Sequence, residues 1–166
     1  GDGAGAAVVQ AEEGELYPSV AGSDGTMGHV LACESRVQND WQQKEADRKT
    51  YIDMDGTAVF KFAVRKMPEM AKSLMTQMHC TEADIDWFIT HQANERIIEA
   101  IAKRLKSDIA KFPMNIAECG NTSSASIPIL LDEMNRSGQL KDGQKIIMAG
   151  FGAGLSWGAV YMEWHA

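Results

Sequence analysis

Apolar residues recur along this chain with two periods, and the switches between them mark its elements. Ile85, Trp87, Phe88 and Ile89 form a short β-branched and aromatic run that predicts an interior strand ending near Thr90. Directly afterwards Ile97, Ile98, Ile101, Ala102 and Leu105 return at three- and four-residue steps, which predicts a helix from Ala93 to about Lys106. Upstream, Phe60, Ala63, Val64, Met67, Ala71, Leu74, Met75 and Met78 predict one long amphipathic helix from Thr57, which Pro68 should bend or end near Lys66 or Met67. Its methionines read as core filler rather than a cofactor box. Downstream, Ile127, Leu130, Leu131 and Met134 predict a helix capped by Asn121 or Thr122, kinked by Pro128 and closed at Ser137 and Gly138. Ile146, Ile147 and Met148 predict a buried strand, GFGAG at 150–154 a tight loop, and residues 157–164 a final strand. Residues 16–21 and 112–116 are weaker strand candidates. The order strand, helix, strand, helix, strand, strand suits an α/β unit with one antiparallel strand.

Between these elements the chain is less periodic. GDGAGAAVV at 1–9 fits either a phosphate loop or a tightly packed strand, but a dinucleotide fingerprint should open a helix, and Glu12, Glu13 and Gly14 interrupt it. Residues 22–26 carry turn chemistry. Residues 34–49 are polar without an apolar period, which predicts an exposed loop, with a lid over a substrate site as the functional alternative. No internal repeat is present.

Composition narrows the class. In 166 residues, 45% hydrophobic and 23% charged, there is enough apolar material for one well-packed domain. A net charge of −7 disfavours nucleic acid, whose binding rests on basic surface, and an acidic protein partner would need a local basic patch. No apolar run approaches the ~20 residues that span a bilayer, and GDGAGAAVV lacks the basic start of a signal peptide. The expectation is a cytoplasmic protein with neither membrane nor nucleic acid as partner. Cys33, Cys80 and Cys119 are odd in number and lack CxxC spacing, so they read as free thiols and not as a disulfide framework or a metal site.

Candidate chemistry gathers at two junctions. His91 follows the predicted strand 85–89, and in open α/β sheets ligands bind in the crevice beyond the carboxyl ends of strands; a structural histidine remains the plainer reading of that residue alone. Asn121 lies in GNTSSAS at 120–126, as an N-cap or a site residue. Arg96, Lys103 and Arg104 fall on the outer side of the predicted helix 93–106, where they serve either a solvated face, with Glu99 and Lys103 spaced as a salt pair, or a docking patch.

HQAN at 91–94, GNTSSAS at 120–126 and GFGAGLSWGA at 150–159 together resemble the carboxyl-terminal half of the ketoacyl-acyl carrier protein synthase III family, of the thiolase fold, and the similarity runs along nearly the whole chain. The resemblance implies an α/β, mixed and mostly parallel sheet with helices on both faces. It implies that residues 1–10 are the last strand of an amino-terminal half missing from this chain, and that 11–166 are the carboxyl-terminal thiolase-like domain. The implied activity is an acyltransferase that initiates fatty-acid synthesis by decarboxylative condensation of an acyl-coenzyme A with malonyl-acyl carrier protein. His91 and Asn121 match the catalytic pair that donates hydrogen bonds to the enolate. Gly152, Ala153 and Gly154 match the oxyanion loop, with Ala153 replacing a frequent glycine and putting its backbone angle in question. Lys61, Arg96, Lys103 and Arg104 match carrier-docking positions, and Thr57, Phe60, Ala93 and Asn94 lie on the pantetheine side, with Thr57 departing from an asparagine in some relatives.

No cofactor or metal is implied; coenzyme A thioester enters as substrate. The implied partners are acyl carrier protein, the missing amino-terminal half, and a second copy in a homodimer or larger oligomer. The family's nucleophilic cysteine lies in the other half and matches none of Cys33, Cys80 or Cys119, although Cys119 sits near Asn121. Two alternatives to the condensing enzyme stand beside it: a non-catalytic binding module of the same fold, and a synthase acting only on coenzyme A esters.

Overall fold

In the computed structural model, which describes residues 1–8, 13–14, 16–33 and 51–165, the buried runs pair as one sheet. Its strands are β1 (Ser19–Ser23), β4 (Trp87–Thr90), β5 (Lys145–Gly152) and β6 (Ser156–Glu163), in the order β1-β6-β5-β4. A separate hairpin joins β2 (Leu31–Cys33) to β3 (Ile52–Met54). The helices are α1 (Gly56–Gln77), α2 (Glu95–Leu105), the single turn α3 (Ile116–Cys119) and α4 (Ser126–Arg136).

Strand alternation sorts the side chains onto two faces. Phe88, Ile147, Ala149, Ala159 and Tyr161 pack against α1 and α2, while Ile89 and Ile146 pack against Leu130 and Met134 of α4. Helices therefore cover both faces, as expected. The sheet is mixed, but the expected parallel majority is not found among the described residues. β4 runs parallel to β5, with Phe88 beside Ile147, whereas β6 is antiparallel to both β5 and β1. The tight turn at 153–155 allows β5 and β6 to pair directly, and a short reversal makes antiparallel neighbours.

Several local expectations change in the fold. α1 is continuous through Pro68: Phe62, Ala63 and Met67 before it and Met70, Ala71, Leu74 and Met75 after it are all buried on the same sheet face. That packing outweighs the ~3 kcal/mol an interior proline costs. Pro128 is the third residue of α4, where its missing N–H has no helical acceptor to lose, so the proline is accommodated in the first turn. Residues 112–116 form no strand. Phe112 instead stacks on Phe88, ring centroids 4.8 Å apart and 9° from parallel, and the Asn115 N–H donates to the Gln92 side chain. Within 22–26, Gly22 and Ser23 belong to β1, and the turn begins only at Asp24, which caps a 3-10 helix at Gly25–Val30.

Residues 1–8 are exposed and carry no regular secondary structure, so the expected strand over 1–10 is not formed in its described part; no described strand lies beside it to supply the pairing. They run against the segment preceding and opening α4, where a Cβ at Gly1 would collide with the Cys119 carbonyl and one at Gly5 with Pro128. These glycines serve close backbone approach, not a phosphate cradle. The polar stretch 34–49, with the loop or lid expected there, lies outside the described residues.

Candidate active site

β4 is buried on both faces and stops at Thr90, because the next residues turn to start α2. Asn94 has extended backbone angles, and its side chain accepts the N–H of Arg96 at 2.9 Å, which caps the helix. Gln92, fully buried, fastens the intervening turn: its amide donates to Thr90 O at 2.8 Å and to Pro113 O at 3.4 Å, and its Oε1 accepts the Asn115 N–H. His91 is thereby held at the sheet's edge, its backbone N–H donating to Ala149 O of β5 at 2.9 Å.

The GNTSSAS segment approaches from the other side. Gly120 has φ +67° and Ser123 φ +54°, the left-handed region that is unfavourable for a serine. Asn121 sustains that turn by accepting the Ser123 N–H on Oδ1 at 2.9 Å, which leaves its amide NH2 as the donor group. At the start of α4 the Ser126 hydroxyl, 2% exposed, lies 2.7 Å from His91 Nδ1 and accepts the Gln92 N–H at 3.3 Å.

His91, Asn121 and Ser126 line one cavity of about 940 Å³, together with Phe60, Ala93, Asn94, Phe151, Gly152 and Ala153. The size suits a small-molecule pocket. Phe151 meets the His91 ring edge-on, centroids 5.7 Å apart at 71°. Burial pushes the His91 pKa below its ordinary 6.5, because a half-buried imidazole loses hydration when it charges. The ring is thus neutral at pH 7. The cavity is thus lined by an imidazole and a primary amide, with loop backbone of Gly152 and Ala153 beside them.

Ala153 is absent from the residues with positive φ, so replacing glycine there strains nothing; Gly154, at φ +136°, could not be replaced, since a Cβ would come within 2.9 Å of Ser156 N. Neither Gly154 nor Thr57 is among the described lining residues of the cavity. Lys61, Arg96, Lys103 and Arg104 are all exposed outside it. Seven residues bring Arg96 and Lys103 back to one stripe of α2 with a rise of about 10 Å between them. Among the described contacts Glu99 and Lys103 form no ion pair.

All three cysteines are free. At Cys119, burial and then the Glu133 carboxylate, 3.8 Å from the sulfur, push the thiol pKa up, the reverse of what a nucleophile needs. Burial likewise raises Cys80. Among the described residues no group of three or more acidic, histidine or cysteine side chains could hold a metal, and no helix is long and apolar enough to cross a membrane. Ser126 and Gln92 were not legible as site residues. Both sit inside motifs that drew attention, but a serine near a helix start reads as a cap, and only folding shows that it faces His91.

The family model described as 3-oxoacyl-[acyl-carrier-protein (ACP)] synthase III C terminal matches residues 75–164. The beta-ketoacyl-[acyl-carrier-protein] synthase III of Clostridium novyi is 45% identical over 166 residues, covering 99% of this chain and 51% of its own length. Among solved structures, the 3-oxoacyl-(acyl carrier protein) synthase III of Pseudomonas aeruginosa superposes with a TM-score of 0.81 at 37% identity, covering 93% of this chain and 46% of that one. The corresponding Aquifex aeolicus protein gives 0.79 at 34% identity, over 90% and 44%. The chain spans about half the length of the curated relatives it matches.

Proposed function

The chain belongs to the 3-oxoacyl-[acyl-carrier-protein] synthase III carboxyl-terminal family, and from that premise we propose that it supplies the enolate-stabilising half of a condensing acyltransferase that initiates fatty-acid synthesis. The observation that carries this reading is the meeting of His91 and Asn121 in one cavity, both able to donate and both uncharged.

In the proposed reaction an acyl group from coenzyme A first forms a thioester with a cysteine thiolate, releasing coenzyme A. Malonyl-acyl carrier protein then loses its carboxylate as carbon dioxide, and the bonding pair passes into the thioester as an enolate. The negative charge grows on the thioester oxygen. Two neutral donors aimed there stabilise it more than they stabilise the uncharged ground state, and losing one such donor costs about 3–4 kcal/mol. The enolate carbon attacks the acyl-cysteine carbonyl, and the thiolate leaves. Gly152, Ala153 and Gly154 contribute backbone to the oxyanion of that step. By family resemblance the nucleophile is assigned to a segment outside these 166 residues: the Cys80 and Cys119 thiols have raised pKa values, and Cys33, which lines the cavity, matches no nucleophile position of the family.

The pantetheine arm is assigned to Phe60, Ala93 and Asn94 along the cavity, with Thr57 one residue beyond Gly56 at its rim. Lys61, Arg96, Lys103 and Arg104 are assigned to docking the acidic carrier. A cytoplasmic homodimer completes the reading. In the full-length protein, His91→Ala and Asn121→Ala should each slow malonyl-thioester decarboxylation by about two to three orders of magnitude, while transfer of the acyl group to cysteine changes little. Equal loss in both half-reactions would instead favour a general structural role.

A further inference from the structure

We propose that Ser126 is a positioning residue that holds His91 as the tautomer protonated on Nε2. A serine hydroxyl has one proton to donate and two lone pairs to accept with. The Gln92 backbone N–H can only donate, so its 3.3 Å contact occupies a lone pair of Ser126 Oγ. The remaining partner of Oγ among the described contacts is His91 Nδ1, at 2.7 Å. Were Nδ1 protonated, two donors would point at Oγ, and the hydroxyl proton of a side chain 2% exposed would be left without an acceptor. Buried donors are rarely left so, and the imbalance is worth roughly tenfold or more in population. The Ser126 hydroxyl therefore donates to Nδ1, and the ring's proton resides on Nε2, the nitrogen left for the cavity that His91 lines.

The arrangement reaches from sequence to chemistry through one helix start. Ser126 is the first residue of α4, and the 3-10 turn at Ser123–Ala125 that sets it there also holds Asn121. The serine is thus the piece that makes an imidazole a donor on the same side as the amide. Its catalytic consequence rests on the enolate reading above; the tautomer assignment does not.

The test uses the full-length protein with 15N-labelled histidine, His91 being assigned by the signal lost in His91→Asn. At a pH where the ring is neutral, Nε2 should carry the proton and Nδ1 should show the shift of a hydrogen-bonded acceptor. In Ser126→Ala the Nδ1 signal should move to that of an unbonded nitrogen and the turnover number for malonyl-thioester decarboxylation should fall about tenfold or more with little change in KM, whereas Ser126→Thr should retain both signatures. A proton on Nδ1 in the unaltered protein overturns the assignment without any variant having to fold. Unchanged ring shifts and decarboxylation in Ser126→Ala overturn it equally. If the shifts respond as expected but His91→Ala decarboxylates normally, the tautomer assignment stands and the enolate reading is the one that fails.

Discussion

At the scale of single residues, His91 shows how surroundings choose a protonation state. Among the described residues no charged partner acts on it, and burial holds its pKa below 6.5. The folded protein therefore binds a proton at His91 less readily than the unfolded chain does, so stability attributable to His91 is complete above pH 6.5 and is lost as pH falls from there toward the folded value. Denaturation of the full-length protein and of His91→Gln should give a stability difference that is flat at neutral pH and declines below 6.5, by at most about 1.4 kcal/mol per pH unit. A difference that grew on acidification would mean that the imidazole is stabilised as a cation. Other residues were legible in kind but not in setting. Ala153 looked like a risk to the oxyanion loop, yet its backbone needs no glycine, while Gly154 next to it does.

At the scale of elements, α2 joins stability to recognition. Asn94 caps its first turn and Lys106 ends it in the left-handed region at φ +58°, a conformation that favours glycine. Chemical denaturation should find Asn94→Ala less stable by about 1 kcal/mol, and Lys106→Gly more stable by roughly 0.5–1 kcal/mol through relief of that strain. A loss of stability in the glycine variant would show that the Lys106 side chain does more than close the helix. Between these caps lie Arg96 and Lys103, one turn-matched stripe of exposed positive charge on a chain of net charge −7. Charge reversal in Arg96→Glu should raise the apparent KM for the carrier-bound substrate several-fold and flatten its salt dependence, since steering by an exposed charge is screened within about 10 Å. Carrier kinetics that are unchanged at low salt would return the stripe to an ordinary solvated helix face, with Lys103 and Arg104 there to complement the helix dipole.

At the scale of the whole molecule, the described surface carries features that favour association. Tyr51, Ile52 and Met54 expose 64%, 69% and 56% of their surface around β3, and β1 and β4 end the sheet with no further described strand beside them. Open sheet edges and contiguous apolar surface drive association. Residues 1–166 prepared alone should therefore elute as an oligomer in size-exclusion chromatography with light scattering and form no condensation product. A stable monomer that makes ketoacyl product would overturn this and direct mutagenesis first to Cys119. What the sequence determined by itself was the local grammar: the strand ending at Thr90, a helix following it within a few residues of Ala93, an amphipathic helix beginning near Thr57 and the glycine turn at 120. Each rests on the spacing of apolar residues and on caps, which act within a few positions of the chain. Only tertiary structure decided the antiparallel pairing of β6, the passage of α1 through Pro68, and the placing of the Ser126 hydroxyl 2.7 Å from an imidazole 35 residues away. Those outcomes depend on which buried faces meet and on which polar atoms are shut from water together, quantities that exist only once distant segments pack.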